Sequence, residues 1–201
     1  MNLQCEIRLK IGNNLTREHV EFRDRKMKVS LCTQLFSLST ANSLQLLLDE
    51  KHPHFLGCEA TIEFVRIVDS QFDIFNSSDW CAIGSKRPLN GRNAEDTFAR
   101  LASYEPYLLD LTTFEGKPLV QLLTKTAFVG YLVNIHGLKC LYNKLPMDRM
   151  TYLTTRRLSQ NHLELTFGLI RSMGGYSENP TAFHLASEMK KLQIKSNLKD
   201  I

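Results

Sequence analysis

The chain has 201 residues, 43% of them hydrophobic, which is enough for one sizeable core or a core with a small appendage and excludes a disordered tail. Its 25 basic and 21 acidic residues give a net charge of +4, which excludes a polybasic, histone-like binder and still permits a phosphate-bearing partner. Cys5, Cys32, Cys58, Cys81 and Cys140 are scattered without Cys-x-x-Cys spacing, so neither a disulfide framework nor a Cys-rich zinc module is expected, and a reducing compartment fits. The first residues lack the apolar stretch of a signal peptide, and no run approaches the ~20 apolar residues of a membrane span. These features point to a soluble, intracellular chain.

In chain order, Gln4 to Lys10 is the one segment that reads as a short strand. From Lys28 to Asp49, Leu31, Leu35, Leu38, Ala41, Leu44 and Leu48 recur at steps of three or four, which predicts one helix with a buried stripe, ended by His52-Pro53-His54. A second amphipathic helix is expected from Glu59 to Asn76, with Thr61, Phe64, Val65, Val68, Phe72 and Phe75 on its apolar face. Trp80 to Asn93 has no clear period and reads as a loop, after which helical patterning resumes near Ala94. Beyond a turn at Glu115-Gly116-Lys117-Pro118, Leu119 to Leu145 is apolar on most faces. It reads as a buried core helix, or as two helices broken near Gly130 or Gly137.

Pro146 to Arg157 is a polar, basic connector and the candidate domain boundary. Ser159 is placed to cap a helix running to Met173, with Leu163, Phe167 and Ile170 as its buried stripe, and Gly174-Gly175 is placed to end it. Asn179-Pro180 would open a last helix with the stripe Ala182, Leu185, Ala186, Met189 and Leu192. The expected fold is therefore all-α, with a helical domain over residues 1–145 and a second helical part over 151–201.

Two constellations carry chemistry. Glu164 projects beside its helix's apolar stripe, with Gly168 and Arg171 following on the same face, where a small residue admits a ligand and a guanidinium can pair with a carboxylate or phosphate. Asp73 and Asn76 are three apart on a helix, so a carboxylate that accepts N–H bonds lies beside an amide that offers donor and acceptor, next to the aromatic Phe72. Alternatively, Phe72 is core, Asp73 is solvated and Asn76 is a helix C-cap. His136 and Cys140 are one turn apart, and His162 lies nearby in sequence, but none has further ligands at zinc spacing, so ordinary helix residues are expected. Arg149, Arg156 and Arg157, and Lys190, Lys191 and Lys195, suit either a phosphate backbone or a solvated face.

The string Leu158-Ser159-Gln160-Asn161-His162-Leu163-Glu164, followed by Phe167, Ile170-Arg171, Gly174-Gly175 and Asn179-Pro180-Thr181, resembles the P-element and THAP-domain transposases. In that family a Ser-Gln-Asp-His-Leu-Glu motif starts a helix of the RNase H-like catalytic domain. Leu15-Thr16 with His19, Lys26-Met27-Lys28-Val29, Phe72 to Ser77, Lys86-Arg87-Pro88-Leu89 and Phe128-Val129-Gly130-Tyr131 resemble family segments in the same order. The resemblance extends from about Leu15 to Leu192.

The resemblance implies that residues 1–145 are a helical insertion domain that binds GTP in the family, and that 151–201 are the C-terminal part of the RNase H-like domain. Glu164 would be the last acid of an Asp-Asp-Glu triad that holds two Mg²⁺ ions, and so both the catalytic and the metal-binding residue. Phe72, Asp73 and Asn76 match the family's base-recognising residues. Asn161 stands where the family has Asp, keeping the shape of that nucleotide contact without its charge. Both family aspartates lie on strands upstream of the matched region, and no zinc-ligand spacing marks the family's DNA-binding domain. The expectation is a cut-and-paste transposase fragment, inactive alone, whose full-length relatives act on transposon ends in the nucleus. The alternative is a truncated or domesticated nucleotide- or protein-binding module that regulates an intact transposase. The implied partners are DNA, GTP, a second copy of the chain or an intact transposase, without a membrane.

Overall fold

A computed structural model describes residues 15–25, 28–122, 126–146, 150–175 and 181–197. The readings for Gln4 to Lys10, Arg149 and the Asn179-Pro180 cap fall outside them. The fold is all-α, with helices α1 (Arg17–Val20), α2 (Val29–Leu35), α3 (Leu38–Asp49), α4 (Glu59–Phe75), α5 (Ala94–Asp110), α6 (Thr126–Lys144), α7 (Asn161–Met173) and α8 (Ala182–Asn197). The extended pairing among the described residues consists of two isolated antiparallel bridges, Leu89 with Leu153 and Thr112 with Pro118. The chain divides into two compact units, Met1–Thr154 and Thr155–Ile201.

In the first unit, the single helix expected from Lys28 to Asp49 is two helices. Phe36 leaves the helical region at φ −93°, ψ 54°, and Ser37 caps α3, its Oγ accepting from Thr40 N–H at 3.3 Å. The Ser37 and Thr40 hydroxyls both donate to the Gln34 carbonyl, at 2.8 and 3.0 Å. Such local side-chain bonds compete with the helical ladder, and a hydrophobic period does not report them. The buried positions are Leu31, Thr40, Ala41 and Leu47, while Leu35 and Leu38 are exposed.

Helix α4 spans the expected residues but buries a different set: Ile62, Val65, Ile67, Gln71 and Ile74, with Thr61 exposed and Phe64, Val68, Phe72 and Phe75 half-buried. It has neighbours on two sides. Ile62 and Val65 pack with Ala41, Phe36, Leu44 and Leu48, while Ile74 joins the main core of Leu89, Leu101, Leu108, Ile135, Leu138 and Leu153. A helix packed from two sides buries a broad face rather than one stripe.

The loop from Trp80 to Asn93 is held in place despite its irregular backbone. Leu89 is buried and exchanges both backbone bonds with Leu153, at 2.9 and 2.7 Å. Asn93 Nδ2 donates to the Pro88 carbonyl at 2.9 Å, and Asn90 Oδ1 accepts from Arg92 N–H, which ends the loop in an Asx turn before α5. At the expected turn, Gly116 adopts φ +77°, a conformation that favours glycine. Helix α6 runs unbroken through Gly130 and Gly137, but it is not buried on most faces: Ile135 and Leu138 are buried and Val133 is exposed.

In the second unit, Ser159 does not cap α7. Its Oγ donates to the Arg156 carbonyl at 2.7 Å as part of a 3₁₀ turn over Thr155–Leu158, and Gln160 occupies the N-cap position without a side-chain bond. Gly174 ends α7, donating to the Ile170 carbonyl at 3.1 Å. Thr181 Oγ1 caps α8 by accepting from His184 N–H at 3.3 Å. The expected apolar stripes are largely open: Ile170 is buried, but Leu163, Phe167, Leu185 and Met189 are exposed, and among the described side chains of α8 Glu188 is the buried one. Two short helices in contact share one narrow seam and cannot enclose a core of their own.

Candidate functional site

The last turn of α4 carries Phe72 and Asp73, and Asn76 is its C-cap, donating its backbone N–H to the Asp73 carbonyl at 3.3 Å. Phe72 is half-buried. The Asp73 side chain is 18% exposed, so it is neither freely solvated nor sealed in the core. Burial pushes its carboxyl above the ordinary aspartate value; the Lys86 ammonium opposes this rise and Asp69 adds to it. Lys86 Nζ stands 3.9 Å from Asp73 Oδ2, beyond hydrogen-bonding distance, on a side chain that is 67% exposed. A half-desolvated carboxylate without a close donor is a strong acceptor for a ligand's N–H group.

Lys86 reaches Asp73 from a 3₁₀ turn over Gly84–Lys86 that side chains pin to two helices. Ser85 Oγ lies 3.1 Å from Ser70 Oγ on α4 and accepts from Arg100 Nη1 on α5 at 3.0 Å. Tyr104 OH donates to Ser70 Oγ at 3.0 Å. Sequence reasoning gave Lys86 and Ser85 no site role, because irregular backbone separates them from α4 and no periodicity predicts the approach. The only sequence signal was the Lys86-Arg87-Pro88-Leu89 segment of the family resemblance.

A pocket of 220 Å³ also lies at α1 and α2, with Arg25, Lys28 and His19 beside Phe22, Leu35 and Phe36. Its cations are partly neutralised. Glu18 pairs with Lys28 at 2.9 Å and with Arg25, and these hydrogen bonds hold the Glu18 carboxyl below its usual range.

Asn161 is the first residue of α7 in the second unit, and its side chain lies outside the described atoms. Glu164 is exposed on the same helix, and a Cβ added at Gly168, one turn on, would meet nothing within 4 Å. Among the described residues no group of three or more His, Cys, Asp or Glu side chains gathers to hold a metal ion. His136 Nε2 instead lies 3.0 Å from Glu105 Oε1, linking α5 to α6, and Cys140 is exposed. A two-metal centre requires several oxygen ligands, so the donor set around Glu164 does not by itself fit one. No helix among the described residues is long and apolar enough to cross a membrane.

Comparison with known proteins follows the same division. Residues 1–88 match the TNP-like, GTP-binding insertion domain, and residues 157–190 match the TNP-like, RNase H C-terminal domain. The chain is 30% identical to human DNA transposase THAP9 over 181 residues, covering 89% of this chain and 20% of that protein. It is 31% identical to the transposable element P transposase of Drosophila melanogaster over 200 residues, covering 96% of this chain and 25% of that protein. The solved Drosophila P element transposase strand transfer complex aligns with a TM-score of 0.68 and 27% identity, over 90% of this chain and 40% of that one. The chain thus spans a fifth to a quarter of the length of these curated relatives. With matches to two distinct domains in their order along the chain, and a solved structure that aligns with nearly all of it, the chain is similar to the GTP-binding insertion and RNase H C-terminal regions of P-element-type, THAP-domain transposases.

Proposed function

We propose that the first unit is a guanine-nucleotide-binding module and that the second carries one metal-ligating carboxylate of a transposase. The observation that supports the nucleotide reading is Asp73: a carboxylate raised by burial, with Lys86 3.9 Å away and Phe72 preceding it. It lies in the segment that matches the GTP-binding insertion domain. In this reading Phe72 packs against the base, Asp73 accepts its N–H groups, and Asn76 completes the contacts. Titrating GTP into the wild type, Asn76→Ala and Asp73→Ala tests it. Weaker binding by Asn76→Ala and loss in Asp73→Ala are expected, whereas equal behaviour of all three would overturn it.

Glu164 on this reading contributes one ligand to a divalent-metal site whose other carboxylates come from elsewhere, and DNA cleavage or joining is not a property of the 201 residues alone. Measurable Mg²⁺-dependent cleavage or strand transfer by the purified chain would refute that part. The family connection supports transposon-end DNA as the partner of the complete protein and the nucleus as its place of action.

A second reading is favoured by the exposed apolar surface of the second unit, where Leu165, Phe167 and Leu169 on α7 and Phe183 and Ile194 on α8 face solvent. Such surface marks a protein contact, and the chain would then modulate an intact transposase. Adding the chain to a strand-transfer reaction should inhibit it, and Leu165→Asp with Leu169→Asp should abolish the inhibition. Equal inhibition by both forms, or none by the wild type, would rule this out.

A further inference from the structure

Asp73 and Lys86 form an unusual pair. Their 3.9 Å separation is too long for a hydrogen bond, so the carboxylate keeps its acceptor capacity and the ammonium keeps three donors, side by side at the end of α4. A ligand edge that bridges them must present a donor to Asp73 and an adjacent acceptor to Lys86. Guanine does this with N1–H beside O6. Adenine presents the reverse, with the acceptor N1 beside the N6 amino group, so its lone pair would face a carboxylate and its amino group an ammonium. Buried or half-buried groups left facing like partners discriminate strongly between otherwise similar ligands.

We infer that Lys86 is a specificity-determining residue that reads guanine O6, and that Ser85 is the positioning residue that sets it opposite Asp73. The inference rests on the guanine-nucleotide reading above. A flexible, mostly exposed lysine would ordinarily sweep a wide volume. Here the residue before it is held by Ser70 at 3.1 Å and Arg100 at 3.0 Å, with Tyr104 fixing Ser70 at 3.0 Å. Two helices, α4 and α5, thus meet on the Ser85 hydroxyl, which fixes the origin of the Lys86 side chain.

The experiment is a titration of GTP, ITP and ATP into the full 201-residue chain and into Lys86→Met, Lys86→Gln, Ser85→Ala, Ser85→Thr and Asp73→Ala. Inosine retains N1–H and O6, so the wild type should bind GTP and ITP well and ATP poorly. Lys86→Met should weaken GTP and ITP about tenfold or more while leaving ATP unchanged, which collapses the preference. Lys86→Gln, which keeps a neutral donor, should retain part of it. Ser85→Ala should lower the preference in the same direction, and Ser85→Thr, which keeps the hydroxyl, should restore it. Uniform weakening of all three nucleotides by Lys86→Met would show a phosphate contact instead. That result, or an unchanged GTP to ATP ratio, overturns the inference while Asp73→Ala still reports on the site. A wild type without preference for GTP removes the guanine reading and this inference together. The 67% exposure of the Lys86 side chain means that its replacement leaves packing intact.

Discussion

Gln71 offers the sharpest test of how the first unit is held together. It is fully buried on α4, and neither its Oε1 nor its Nε2 has a hydrogen-bond partner among the described residues. Taking an amide out of water without replacing its bonds costs about 1–3 kcal/mol on mutational scales. Methionine has nearly the same length and volume and lacks both polar atoms, so Gln71→Met removes the penalty without opening a cavity. The expected gain is ~1–3 kcal/mol, which at a urea slope of ~2 kcal/mol/M moves the unfolding midpoint up by roughly 0.5–1.5 M. Gln71→Ala serves as the control: it removes the same polar atoms but leaves a void, and should gain much less or lose stability. Urea denaturation followed by circular dichroism distinguishes these cases. A Gln71→Met midpoint equal to or below the wild type would refute the reasoning and show that the amide has partners, such as an internal water, that satisfy it.

Three further outcomes follow from the same structure. Leu108 is fully buried in the main core, so Leu108→Ala should lose about 2–5 kcal/mol in the same assay, whereas Ile83→Ala, at a side chain 82% exposed, should stay within about 0.5 kcal/mol. Burial raises the folded-state pKa of Asp73, so between the unfolded and folded values the native state holds the extra proton, and stability falls as pH rises through that window. Asp73→Asn should therefore match the wild type at low pH and exceed it in stability at neutral pH while losing guanine binding; a stability difference independent of pH would contradict this. Ser37→Ala removes the α3 cap and should cost about 1 kcal/mol, measured by thermal unfolding, with no loss if the α2–α3 break does not depend on the hydroxyl.

The family and the all-α fold were legible in the residue string, because motif order and apolar spacing are written along the chain. So were the extent of α4, which carries a sustained apolar period and ends at a recognisable stop, and the start of α5 near Ala94. The break at Ser37 and the failure of Ser159 to cap were not legible: a serine hydroxyl bonds whichever backbone group its local geometry presents, and its identity alone does not choose. The buried faces of α4, α7 and α8 also escaped, because periodicity gives the direction of an apolar face but not how many neighbours cover it. At the candidate site the sequence supplied Phe72, Asp73 and Asn76, which share one helix end and hence a local spacing rule. It could not supply Lys86, whose 3.9 Å approach to Asp73 depends on Ser85 being gripped by α4 and α5 at once. Contacts within a helix follow from the fixed rise and turn of the backbone. A contact across an irregular loop exists only once the packing of separate elements has closed it.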